Sequence, residues 1–170
     1  MNFIVKHFSE LSTEELFKIY RLRVAVFVVE QQCAYQEVDE ADKVSYHLWL
    51  QEGETILAYL RVIPAGVLRH EVSLGRVIAV KRHQGLGTKI VEHAIAFAKE
   101  QLGAGEIVIE AQTYVRGLYE KLGFRAESEE FLEDGIPHVR MRLLLKKLKK
   151  VQTNCFQPDK IHALTFVRYL

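Results

Sequence analysis

Residues 77–90, VIAVKRHQGLGTKI, constrain what this chain can fold into more than any other stretch. An apolar, β-branched run from Val77 through Ile78 to Val80 enters a basic bend with two glycines, and a helical pattern starts directly behind it. Strand, glycine bend and helix N-terminus in that order make a cradle for phosphate, because the first-turn N–H groups have no intrahelical partners and the helix dipole favours an anion there. Gly85 and Gly87 keep side chains away from backbone that a diphosphate would approach, and Lys81 and Arg82 add charge at the rim. The same bend also occurs in α/β proteins that bind nothing at it, so it names a chemistry only together with a second motif.

The flanking residues supply an α/β frame. Residues 3–8 alternate as a short strand, and Leu11, Ser12, Glu15 and Leu16 form a helix start with a capping box and a hydrophobic staple. That helix is expected to present Leu16, Tyr20, Val24 and Phe27 to the core and to fade near Phe27. Residues 46–50 and 56–63 read as a hairpin turning at Gly53, and residues 71–80 as a third strand that delivers the chain to the bend. Behind the bend, Ile90, Val91, Ala94, Ile95, Ala98 and Leu102 share one helical stripe. Residues 106–111 form the next strand, parallel to the previous one because a helix separates them. A short helix over 115–122 and a second hairpin, 127–132 and 139–145 around Asp134-Gly135, complete the pattern.

Composition narrows the function classes. A length of 170 residues suits one domain, and a net charge of +1 gives no general pull toward nucleic acid or membrane. No apolar run approaches the roughly 20 residues that span a bilayer, and residues 1–8 hold no apolar signal core, which predicts a cytoplasmic protein. Cys33 and Cys155 stand apart and the histidines lack H-x-x-x-H spacing, so no metal is expected. The segment 30–42, EQQCAYQEVDEAD, reads either as a solvated connector or as an acidic wall attracting a cationic substrate. Residues 146–150, KKLKK, read as a solvated strand end. The tail beyond it, with Ile161, Phe166, Val167, Tyr169 and Leu170, is apolar enough to dock on its own domain or on a second subunit as a homodimer contact.

Two motifs together resemble a family. The run Arg82-His83-Gln84-Gly85-Leu86-Gly87 fits the pattern Arg/Gln-x-x-Gly-x-Gly/Ala, and Leu118-Tyr119-Glu120-Lys121-Leu122-Gly123-Phe124 follows after one helix, one strand and the start of a second helix. Both are similar to the GCN5-related N-acetyltransferases, over residues 1–146, which leaves 147–170 as a C-terminal extension. The runs LRVAVFVVEQ, YQEVD, GRV, AQ and EDGIPH resemble the ElaA-like branch of that superfamily. The resemblance implies a mixed, mostly antiparallel α/β (α+β) sheet with helices on both faces and a splay between the fourth and fifth strands. It further implies transfer of an acyl group, by default acetyl from acetyl-CoA, to a primary amine of a small molecule or peptide.

On that resemblance the backbone amides of Gln84, Gly85, Leu86, Gly87 and Thr88, with Arg82, hold the coenzyme's diphosphate, and Val77, Ile78 and Val80 pair with its pantetheine arm. Gln112 stands where many members have an asparagine that contacts the cofactor. Tyr119 corresponds to the general acid; from the residues alone it reads rather as an aromatic packed on the core. Glu71 is the candidate base, with Glu110, His47 and an ordered water as rivals. A non-catalytic acyl-CoA sensor and a nucleotide-binding α/β protein are the alternative classes.

Overall fold

The computed structural model describes residues 1–145; the basic run, the apolar tail and the expected boundary at 146/147 lie outside them. Strand β1 (Asn2–His7) is followed by helix α1 (Thr13–Arg23), the hairpin β2 (Tyr46–Glu52) and β3 (Thr55–Ile63), and β4 (Val72–Ala79). Helix α2 (Leu86–Glu100), β5 (Glu106–Gln112), α3 (Arg116–Lys121), β6 (Arg125–Ala126), β7 (Phe131–Glu133) and β8 (Ile136–Leu144) complete it. The sheet runs β1-β2-β3-β4-β5-β8-β6, with β7 also on β8. Among the described residues only β4 and β5 pair parallel, through Val72↔Ile107 and Ser73↔Val108, and no ladder joins them further along.

Each face of the sheet carries helices. On one, Leu86, Ile90, Val91, Ala94 and Ala98 of α2 pack with Leu48, Leu60, Val62, Leu74, Ile107 and Ile109, joined by Tyr119 and Phe124. This is the stripe that the 3.6-residue period marks. On the other, Ile19 packs on Trp49, Tyr59 and Ile78. The α1 start has the expected capping box, Ser12 Oγ accepting from the Glu15 N–H at 3.2 Å while Glu15 Oε2 accepts from the Ser12 N–H at 2.9 Å.

Three local expectations are corrected. Helix α1 stops at Arg23, and residues Val24–Glu30 continue as a π-helix, with the Gln31 N–H donating to Val26 O and the Cys33 N–H to Val28 O, both at 3.2 Å. The wider turn spaces the crowded valines better than an α-turn would. The buried residues of α1 are Ile19 and Arg23, whereas Val24 is exposed. In the second hairpin the first strand is shorter than expected, β7 being three residues, and β8 begins at Ile136 rather than Val139.

Candidate active site

At the end of β4 the chain turns through residues 81–85, with His83 at φ +60° and Gly85 at φ +72°. Gly85 is the N-cap of α2 and no side chain caps that end. The helical ladder opens with the Lys89 N–H on Gly85 O at 3.0 Å, so the amides of Leu86, Gly87 and Thr88 have no intrahelical acceptor. A Cβ on Gly85 would meet nothing within 4 Å, which leaves the cradle open. Gly87 has another use: a Cβ there would sit 3.3 Å from Leu118 Cδ1 and 3.9 Å from the Ala79 Cβ, so its bareness lets α2 close on the strand end and on α3. The two sequence motifs therefore touch. Arg82 is exposed and ion-paired to Glu30 of the π-helix, and Gln84 is exposed in the same bend.

Beside the bend lies the opened sheet. The Val80 N–H donates to Leu57 O at 2.9 Å, so it is spent on β3. Alternation in an antiparallel ladder then turns the neighbouring Ala79 amide to the opposite edge, where β5 no longer pairs. Val77 and Ala79 pack with the α2 face, and Ile78 with the α1 face. A β-bulge interrupts β3–β4 pairing between Tyr59 and Arg61, and there Arg76 adopts φ +55°. Tyr119, on α3, is buried in the α2-side core with its ring edge-on to Phe124, centroids 5.6 Å apart. Burial pushes its phenol above the ordinary tyrosine range. An uncapped helix end and an unpaired strand edge thus adjoin, and the helix carrying the buried Tyr119 packs on the first of them through Leu118 against Gly87.

The sequence profile described as "Acetyltransferase (GNAT) domain" matches residues 9–145. The chain belongs to the GNAT acetyltransferase family. Among similar proteins, a UPF0039 protein of Schizosaccharomyces pombe is 42% identical over 149 residues, covering 85% of this chain and 98% of the relative. ElaA of Escherichia coli K12 is 32% identical over 139 residues, covering 79% and 91% respectively. A solved Pseudomonas aeruginosa acyl-CoA N-acyltransferase superposes with TM-score 0.78 at 36% identity, covering 84% of this chain and 99% of that one. The E. coli ElaA structure gives TM-score 0.77 at 29% identity, over 84% and 99%. The mixed sheet, its parallel β4–β5 junction and its helices agree with the GNAT fold, and the chain is an acyltransferase.

The remaining candidates in this GNAT domain are already engaged. Glu71 accepts from Arg142 Nη1 at 2.8 Å, a bond that lowers its carboxyl pKa. Burial raises that of Glu110, but hydrogen bonds from Arg140 and Arg69, at 2.9 and 3.0 Å, outweigh it and leave it lowered. Gln112, at the end of β5, exchanges amide contacts with Gln31, its Nε2 donating to Gln31 Oε1 at 3.2 Å. His47 is fully buried on β2, its Nδ1 2.7 Å from the Tyr59 hydroxyl and its Nε2 3.3 Å from Asp42 O.

That burial pushes His47 down to about 4. The unfolded chain takes up its proton as pH falls through about 6.5, whereas the native protein refuses it until about 4. Stability should therefore fall across that window, by about 3 kcal/mol at its lower end. Urea titrations between pH 7 and 4 on the native chain and on His47→Gln check this; an equal slope in both would remove His47 as the cause.

Sequence reading missed one cluster. Instead of lining a solvated wall, Glu37 and Asp42 are buried, Asp39 is half-buried, and together these three carboxylates meet Arg23, Arg61 and Arg76. The acidic stretch is largely neutralised from within and forms no open acidic wall, although Glu37 Oε2 has no partner among the described residues. Only Arg23, a charge on an otherwise apolar helix stretch, hinted at this in the sequence.

Proposed function

We propose that the protein transfers an acetyl group from acetyl-CoA to a primary amine by direct attack. The observation that carries this is the loss of pairing between β4 and β5 after two residue pairs, beside an uncapped α2 N-terminus. The open, uncapped cradle fits a diphosphate, and the unpaired edge of β4 fits an extended amide-bearing arm. Residues 84–88 would hold the diphosphate through backbone N–H groups, with Arg82 exchanging Glu30 for phosphate. Gln112 would reach the arm by releasing Gln31. The coenzyme supplies the acyl group as a thioester.

The acceptor nitrogen forms its bond to the acyl carbon while the carbon–sulfur bond breaks. An amide near Ala79 meets the charge that gathers on oxygen, Tyr119 gives its proton to the departing sulfur, the amine's proton passes to solvent, and the Tyr119 phenolate recovers a proton from solvent. Glu71, held by Arg142, is poorly suited to take that proton, and Glu110 and His47 are no better placed. Proton acceptance by solvent agrees with this set of occupied side chains.

The test incubates the full chain with acetyl-CoA and a panel of amines and amino-terminal peptides, following free thiol. Thiol release that depends on one class of amine supports the reading. Coenzyme binding by calorimetry with no thiol above background for any amine would make the protein a non-catalytic acyl-CoA sensor.

A further inference from the structure

Resting on that reading, we infer that the acceptor is a zwitterion, an amine with a carboxylate beside it, whose carboxylate is taken by Arg76 and whose amino group is taken by Glu37. Tyr119 and the α2 N-terminus belong to one side of the sheet, while Arg76 reaches the other, the side of α1 and the π-helix. An acceptor entering from that second side meets the gap between β4 and β5 across from the acid.

Arg76 is built into place. It occupies a left-handed conformation, unusual for a side chain other than glycine, at the bulge of the strand that borders the gap. Its guanidinium carbon lies 5.9 Å from the Phe27 ring centroid and 5.5 Å from that of Tyr35. Nε donates to Glu37 Oε1 at 2.8 Å and Nη2 to Glu37 O at 3.2 Å. Among the described residues Nη1 has no such bond, and the side chain is 22% exposed.

Glu37 supplies the complementary half. Its side chain is 2% exposed, and Oε1 accepts from both Arg23 Nε and Arg76 Nε, each at 2.8 Å. Oε2 is buried with no partner among the described residues. A buried carboxylate oxygen left unpaired is costly, and an ammonium or amine N–H is the donor that would satisfy it. A donor for a carboxylate and an acceptor for an amine, fixed to each other by hydrogen bonds, match an amino acid's two ends.

The test is calorimetry on the full chain saturated with coenzyme A, titrating the twenty standard amino acids and the carboxamide of each. At least one acid should bind ten-fold or more tighter than its amide. Arg76→Gln should shrink that ratio below two-fold without changing coenzyme affinity, and Arg76→Lys should restore part of it. Amides that bind as well as acids, or no amino acid that binds, would overturn the inference on the unaltered protein, whether or not the variants fold. Thiol release run on the same panel separates the two readings. Turnover confined to amines without a carboxylate keeps acyl transfer and removes the zwitterion site; amino-acid binding without any turnover does the reverse.

Discussion

Tyr119→Phe should lower kcat by about two orders of magnitude or more while leaving the KM for acetyl-CoA nearly unchanged, the scale expected when a positioned general acid is removed. The substitution deletes one oxygen from a side chain only 6% exposed and keeps the ring that packs on Phe124, so the fold should lose little. Burial pushes the phenol up, which keeps it protonated at any working pH but makes it a weaker acid toward a thiolate whose conjugate acid lies near 8.5, so the proton has to move as the carbon–sulfur bond breaks, with solvent returning a proton to the phenolate. Its role therefore adds no descending limb to the pH–rate profile near neutrality. The cradle proposed for the coenzyme lies on the neighbouring helix and strand, which α3 meets through Leu118 against Gly87, so coenzyme affinity measured by calorimetry should be retained. A kcat within three-fold of the unaltered protein would return Tyr119 to the part of a core aromatic.

The regular parts of this fold were legible because they rest on local periods. The hairpin of β2 and β3, the stripe of α2 and the parallel step from β4 to β5 follow from alternation, from the 3.6-residue repeat and from the helix between two strands. The glycine bend was legible too, although one of its glycines serves packing: Gly87 makes room for Leu118, a contact that spacing could not reveal. What stayed hidden depends on partners distant in sequence. Arg23 and Asp42 are 19 residues apart and Arg76 and Glu37 are 39 apart, so nothing local announces that these charges are buried together. The segment 24–30 misled for a different reason. Its valines suggest a fading helix, and the chain resolves their crowding by widening into a π-turn that carries Phe27 toward Arg76.

Asp42→Ala should be the most damaging single change to stability, at about 3–5 kcal/mol, the cost typical of removing one partner from a buried ion pair. Asp42 Oδ1 accepts from Arg23 Nη1 at 2.6 Å and Arg61 Nη1 at 2.7 Å; Oδ2 accepts from Arg23 Nη2 at 3.1 Å and from the Asp39 N–H at 3.2 Å. Without the carboxylate two guanidinium groups remain buried with less than their charge matched. Asp42→Asn keeps one acceptor and the volume, so it should cost less than the alanine, and the difference between them measures hydrogen bonding apart from charge. Burial alone would raise the Asp42 pKa, but the bonds and charge of Arg23 and Arg61 outweigh it and hold the carboxyl below its ordinary value. The sign follows: the stabilisation is present above the ordinary aspartate range and is lost as pH falls through the lowered native value. That window lies below the one in which His47 acts, so acid unfolding should come in two stages, the lower missing from Asp42→Ala and the upper from His47→Gln. Denaturant titrations of both variants from pH 7 to 2 decide this. Because Arg23 also bonds Glu37, which positions Arg76, Asp42→Asn should in addition weaken acceptor binding more than coenzyme binding; equal losses of both would mean that the cluster supports the fold alone.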